Sequence, residues 1–266
     1  MKKLIVTAQF AVLYCLVANT AQSQVLGTRE TNEVDIFKPA LCNSENTVVE
    51  ETVSKSHVKG WGKFINPAGD CSIKNSSNSG VLKIIVPGSE NPHDLSPELR
   101  SMTGPRVLQT VEGDFKVQVK VIGDFEPGSD STQAGRTGYN GAGLVVFADE
   151  KNFVRLERAT LHGFGGNAQA YTNFEIREHG ALKRMGTTVD FATSDKKPTW
   201  LRLERRGNQI YGSMSQDGVN WIQGKPITLA PDYWKNGEVE IGVAAVSTSR
   251  QDFAPVFSEF SVEAQK

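Results

Sequence analysis

The sequence predicts an all-β protein, and three observations support that prediction. Short runs alternate between apolar and polar side chains, the pattern of a strand with one buried face. Turn-forming residues separate these runs at short intervals, and the 266 residues include 25 glycines. No segment shows a sustained helical repeat of apolar residues. About twelve short strands with regular turns predict a sandwich of two antiparallel sheets.

Residues 1–23 have the features of a secretory signal peptide. Lys2 and Lys3 precede a largely apolar run at 4–18, and Ala21-Gln22-Ser23 places small residues where signal peptidase reads. An uncleaved anchor is the alternative, but the run is short for a bilayer, which takes about 20 apolar residues. We therefore expect residues 1–23 to be removed and the rest to be exported to the periplasm or the extracellular space, with no membrane association after cleavage.

The rest of the chain divides into a polar lead-in and one domain. Residues 24–45 lack a clear periodicity and are expected to be extended. Residues 46–266 are expected to form a single domain, because no linker rich in Pro, Ser or Gly interrupts them. Without the signal peptide the chain has 27 basic and 30 acidic residues. This balance gives no electrostatic reason to expect nucleic acid or anionic lipid as a partner.

The first predicted strands lie in the N-terminal half of the domain. An apolar run at 81–86 ends at Pro87-Gly88, and residues 115–121 alternate strictly between apolar and polar. Residues 141–147 are continuously apolar, as in a central strand. A turn then leads to 153–158, which predicts a hairpin.

The remaining predicted strands follow in order: 173–178 and 181–185, 200–205 and 209–215, 238–246, and 256–262. Asp217-Gly218 is a strong turn signal ahead of Trp221. The Gly-rich polar stretch at 123–141 is predicted to be a long loop, and such loops are usually functional or disordered.

Two cysteines, Cys42 and Cys71, remain after signal removal. Export favours a disulfide, and closing a loop of this length contributes about 3–4 kcal/mol in the chain-entropy model. Asp70 raises the pKa of the neighbouring Cys71 thiol, which argues against a nucleophile. Two cysteines are too few for a zinc site. We therefore predict a Cys42–Cys71 disulfide, with two free thiols as the alternative, and we predict no metal and no cofactor.

Several segments, in a fixed order, resemble the DUF1349 family. They are Trp61 with NPAGDC at 66–71, PRVLQ at 105–109, DFKVQV at 114–119, YNGAGL at 139–144, FVRLER at 153–158, LRLER at 201–205 and SQDGVNW at 215–221. That family is concanavalin A-like and is similar to the C-terminal domain of β-xylosidases and to a yeast protein named as a regulator of enolase. The resemblance covers about residues 60–262. It implies a concanavalin A-like jelly-roll sandwich of two antiparallel sheets, but no particular reaction, because that architecture hosts lectins, glycosidases and accessory domains.

A sugar-binding surface needs aromatic faces and planar polar side chains. Arg155 and Glu157 alternate with apolar residues along their strand, so they are expected to point away from the core, toward a groove or water. The candidate carbohydrate-binding residues are Arg106, Tyr139, Arg155, Glu157, Tyr171 and Asn173. The alternative is that rows of Arg and Glu only pair across strands, which contributes about 0.2–1 kcal/mol per pair.

No catalytic motif is evident. Concanavalin A-like glucanases often carry Glu-x-Asp-x-x-Glu on one strand, but Glu33-Val34-Asp35 is followed by Lys38 where the last Glu belongs. None of the four histidines lies beside a Gly-x-Ser-x-Gly elbow. We therefore predict a lectin-like or accessory protein that binds carbohydrate without catalysis. The alternatives are a glycoside hydrolase that uses Glu157 with His93, Asp94 or Glu98, and a structural or interaction domain of the cell envelope.

Overall fold

The computed structural model describes residues 57–76, 78–163, 166, 168–184, 193–194, 197–234 and 237–265. The predicted signal peptide, the predicted lead-in and Cys42 lie outside these residues. Within the described ranges the regular structure consists of β-strands and one 3-10 turn, Pro97–Leu99, with no α-helix. Accordingly, this part of the chain has no helix that is long and apolar enough to cross a membrane.

Eighteen strands are described, numbered here in chain order. They are β1 (His57–Val58), β2 (Gly62–Ile65), β3 (Ser72–Ser76), β4 (Val81–Ile85), β5 (Leu95–Ser96), β6 (Ser101–Met102), β7 (Arg106–Glu112), β8 (Asp114–Ile122), β9 (Tyr139–Asp149), β10 (Asn152–His162), β11 (Ala168–Glu178), β12 (Ala181–Arg184), β13 (Thr199–Arg206), β14 (Gln209–Ser215), β15 (Ile222–Gln223), β16 (Ile227–Thr228), β17 (Glu238–Ser247) and β18 (Val256–Gln265).

The strands build two large antiparallel sheets. The first, called the site sheet, has the order β1-β2-β7-β17-β9-β10-β11-β12. The second, called the back sheet, has the order β15-β14-β13-β8-β18-β4-β3, with β16 beside β14. Each sheet therefore carries one of the last two strands, β17 or β18, between strands from much earlier in the chain.

The predicted sandwich is confirmed, and its core lies between the two sheets. Val117 of β8, Val154 and Leu156 of β10, Phe174 of β11 and Leu201 of β13 are fully buried in one hydrophobic cluster. The residues next to them in each strand point to the opposite face of the sheet, because side chains alternate along a strand. This alternation turns Arg155 and Glu157 away from the core, as the sequence predicted.

The outer face of the site sheet is also covered, and the sequence pattern did not predict this cover. A small hairpin, Leu95–Met102, places Leu95 in a second apolar cluster with Leu108, Val145 and Phe147. We call this segment the roof hairpin. The chain just before this hairpin is bound to β17, because the backbone N–H and C=O of His93 both hydrogen-bond with Ser247 at 2.9 Å.

Candidate functional site

Strands β9, β10 and β11 bring five of the six candidate residues together on the outer face of the site sheet. Glu157 lies opposite Asn173 of β11 and opposite Gly143 of β9. Residues that face each other across an antiparallel pair project to the same side. The resulting cluster, called the outer-face site, consists of Tyr139, Arg155, Glu157, Tyr171 and Asn173.

The carboxylate of Glu157 is the centre of this site. Its Oε1 accepts a hydrogen bond from Asn173 Nδ2 at 3.1 Å and another from the hydroxyl of Tyr139. Arg155 Nε lies 3.2 Å from the same oxygen. Burial, followed by the charge of Glu157, raises the pKa of Tyr171 to about 12 and raises the pKa of Tyr139 well above its usual value. Both phenols are therefore protonated donors at neutral pH.

Arg155 begins an alternating chain of charges along the outer face. Besides Glu157 it pairs with Glu175, and its Nη1 lies 3.8 Å from Asp94, the residue before the roof hairpin. Burial alone would lower the pKa of Arg155, but the facing carboxylates, with Glu157 the largest contributor, raise it above its usual value. Arg155 is thus a permanently charged group that holds three carboxylates around it.

Arg177 continues the chain at the far side of Glu175. It pairs with Glu175 and, through Nη2 at 3.0 Å, with Glu98 of the roof hairpin. Neither Glu175 nor Arg177 was among the predicted site residues. Both lie at two-residue steps from Asn173 along β11, so the period of a strand would have placed them on the same face.

The outer-face site is more enclosed than the sequence predicted. Only 1% of Glu157 and 5% of Arg155 is exposed. Asp94, which directly precedes the roof hairpin, pairs with Arg155, and Gln133 of the long loop donates to Asp94 Oδ2 at 2.8 Å. Tyr139 and Tyr171 remain half-buried. The expected trough is therefore closed over the arginines, and its two tyrosines are its partly exposed members.

Arg106 is separate from the other five candidates. It lies in the same transverse row as Glu157, but β17 and β9 stand between their strands. Its Nη2 lies 3.2 Å from Glu150 Oε1, and its guanidinium is 5.3 Å from the centre of the Phe147 ring. It lines an open groove of about 540 Å³ together with Lys63 and Glu240.

A glycine makes room for the central hydrogen bond of the site. A Cβ atom at Gly141 would lie 2.6 Å from Glu157 Oε2 and 2.9 Å from the Tyr139 hydroxyl. We expect Gly141→Ala to push these side chains apart and to lower the pKa of Tyr139 toward its ordinary value. An ultraviolet titration of phenolate formation measures this shift, and Tyr139→Phe assigns the titrating ring. An unchanged titration in Gly141→Ala would contradict the described contact.

Among the described residues, one cluster combines the side-chain types that ligate transition metals. Asp70, Cys71 and His93 each offer one ligand atom, and the three atoms lie within 4.8 Å of one another. Cys71 is a buried free thiol, and burial together with Asp70 raises its pKa to about 12. Its predicted partner Cys42 lies outside the described residues, so the disulfide stays a prediction.

The family match covers most of the described chain. Residues 76–265 match the family described as "Protein of unknown function (DUF1349)". The chain therefore belongs to the DUF1349 family, which confirms the resemblance drawn from the sequence. No curated protein matches the chain in sequence.

Solved structures with the same fold come from yeast and bacteria. A functionally unknown protein from Saccharomyces cerevisiae is 16% identical with a TM-score of 0.53, over 77% of this chain and 97% of its own. The Bacteroides ovatus protein "Xyloglucan PUL GH43B" is 16% identical with a TM-score of 0.52, over 80% of this chain and 38% of its own. The GH43 BlXynB protein of Bacillus licheniformis is 15% identical with a TM-score of 0.50, over 74% of this chain and 37% of its own. At these identities the likeness shows the concanavalin A-like sandwich and nothing finer.

Proposed function

We propose that this chain is exported and binds carbohydrate without catalysis at the tyrosine end of the outer-face site. The observation that carries this proposal is the placement of two half-buried tyrosine rings beside a buried carboxylate and amide. Aromatic faces pack against the apolar C–H surfaces of sugars, while planar polar groups bind their hydroxyls. Tyr139 and Tyr171 supply the first element, and Glu157 and Asn173 supply the second.

An unpaired acceptor supports a ligand at this position. The Oδ1 atom of Asn173 is buried and has no hydrogen-bond partner. A buried polar atom without a partner costs about 1–3 kcal/mol. A sugar hydroxyl that reached Asn173 would satisfy this oxygen, so part of the binding energy comes from removing that cost.

The site is organised before any ligand arrives. Each of its five side chains projects from a long strand, and Arg155 fixes the carboxylate of Glu157 from the other side. A rigid site loses little conformational entropy on binding, which raises affinity. Two fold neighbours are GH43 proteins, and the name of one includes xyloglucan. Plant cell-wall polysaccharides are therefore the first ligands to test.

The carboxylates that a hydrolase would need pair with arginines of the outer face. Asp94 pairs with Arg155 and Glu98 pairs with Arg177, whereas His93 faces Asp70. A glycosidase needs two carboxyl groups about 5–9.5 Å apart with the scissile bond between them. Here Arg155 contacts both Glu157 and Asp94, so the geometry favours binding over hydrolysis.

Binding is tested with the protein collected from the exported fraction, where its mass also reports whether residues 1–23 have been removed. We expect it to bind in a panel of glycans and soluble polysaccharides that includes xyloglucan and xylan. Tyr171→Ala and Asn173→Ala should each weaken binding about tenfold or more, because each removes a contact worth about 1.4 kcal/mol or more.

Tyr211→Ala is the matched control, because Tyr211 lies on the back sheet and should leave affinity unchanged. The absence of any binding across the panel would contradict the proposal. Release of reducing sugar that Glu157→Gln abolishes would instead establish the hydrolase.

A further inference from the structure

We propose that Asp70, Cys71 and His93 form a zinc-binding site, so that Cys71, a free thiol in the structure, is a metal ligand and not the disulfide partner of Cys42 that the sequence predicted. Asp70 Oδ1 lies 2.9 Å from His93 Nε2 and 3.5 Å from Cys71 Sγ. A tetrahedral zinc ion with ligands at about 2.0–2.3 Å holds its ligand atoms about 3.3–3.8 Å apart. The three atoms therefore need only small displacements to surround an ion.

The backbone holds these ligands in place from two distant segments. The backbone N–H and C=O of His93 both hydrogen-bond with Ser247 of β17, and only 1% of His93 is exposed. The carbonyl oxygen of Cys71 accepts a hydrogen bond from Asn66 Nδ2 at 2.8 Å. The positions of the imidazole and the thiol thus follow from the fold, which is what a site with high affinity requires.

The entrance to the site is at Asp70. Its side chain is 39% exposed, whereas the histidine and the cysteine are buried behind it. An ion can therefore arrive from solvent through the carboxylate. Three protein ligands leave one tetrahedral position, and water from the exposed side can fill it.

The donor set selects the metal. Thiolate and imidazole ligands suit zinc, whereas calcium and magnesium prefer oxygen ligands alone. Binding requires a thiolate, so Cys71 releases its proton to solvent as the Zn–S bond forms. Zinc does not change oxidation state, and the step needs no other reactant.

A bound ion would also fix the cover of the outer-face site. His93 directly precedes Asp94, which pairs with Arg155 and accepts from Gln133. Zinc would cross-link this segment to the turn before β3, where Asp70 and Cys71 lie. A bound zinc ion would therefore hold the segment that covers the outer-face site in place. This role of the metal does not depend on which sugar the protein binds.

The test measures metal content and the spectrum of a cobalt-substituted protein. The full chain carrying Cys42→Ser, purified without chelators, should hold about one zinc per chain. After exchange, cobalt should give the visible bands of a tetrahedral ion and a thiolate-to-cobalt charge-transfer band. Cys71→Ser and His93→Gln should abolish the charge-transfer band and the stoichiometric binding. His57→Gln, an exposed histidine of β1, should change neither.

Cys71→Ser and His93→Gln replace buried residues and could unfold the protein, so Asp70→Ala is tested as well. Asp70 is exposed, and its removal should weaken metal binding while the protein stays folded. The inference is overturned if the folded Cys42→Ser chain takes up neither zinc nor cobalt. It is also overturned if peptide mapping of the native exported chain finds Cys71 in a disulfide with Cys42.

Discussion

Arg155→Met should lower the free energy of unfolding by about 3–5 kcal/mol, the usual cost of removing one partner of a buried ion pair. Arg155 is the cation shared by Glu157, Glu175 and Asp94, and 5% of it is exposed. Methionine keeps much of the volume but leaves these carboxylates buried next to an uncharged chain. Urea unfolding of the variant and the native protein measures the difference.

Arg250→Met is the matched control. Arg250 pairs with Glu90 on the surface, where both side chains are at least half exposed. Such pairs contribute about 0–1 kcal/mol. Adding Glu157→Gln to Arg155→Met should recover part of the lost stability, since Glu157 has then lost its paired arginine, whereas Glu175 still pairs with Arg177. If Arg155→Met unfolds at the same urea concentration as Arg250→Met, the described charge network is wrong.

Phe174→Ala should lower the free energy of unfolding by about 3–5 kcal/mol, the range for a large aromatic side chain in a core. Phe174 is fully buried between the sheets, and its ring lies 3.0 Å from where a Cβ of Gly212 would be. The same strand presents Asn173 and Glu175 to the outer face, so this ring anchors the strand that carries the site. Thermal and urea unfolding both measure the loss.

The ring of Phe174 packs directly against Gly212 of the back sheet, so substitutions at the two positions should interact. Gly212→Ala alone should destabilise the protein by about 1–3 kcal/mol through overpacking. Combined with Phe174→Leu it should cost less than the sum of the two single changes, because a smaller side chain frees the space. Val219→Ala is the control, since Val219 is 78% exposed and should stay within about 0.5 kcal/mol of the native protein. Additive losses in the double variant would contradict the described packing.

The sandwich could be predicted because strand periodicity is a local signal. The run from Phe115 to Val121 alternates strictly, and its four apolar residues are all fully buried. The same rule placed Arg155 and Glu157 opposite Val154 and Leu156. Applied one step further along β11, it would have added Glu175 and Arg177 to the site.

The cover of the site could not be predicted, because it depends on contacts between distant segments. Strands β5 and β6 have two residues each, too few for a periodicity to be visible. His93 is held by Ser247, and Asp70 links its imidazole to Cys71. Strand β3 has a single apolar residue, Ile73, so it carries no alternating pattern, which is why the sequence did not predict it.

The order of the strands has a consequence for biosynthesis. β17 separates β7 from β9, and β18 separates β8 from β4, so neither sheet is continuous until residues 238–265 have been made. A nascent chain that lacks them would present four unpaired inner edges, the kind of backbone that recruits other chains. Closure of both sheets therefore waits for the synthesis of β17 and β18. A premature stop codon ahead of residue 238 should yield insoluble material rather than a smaller, partly active product.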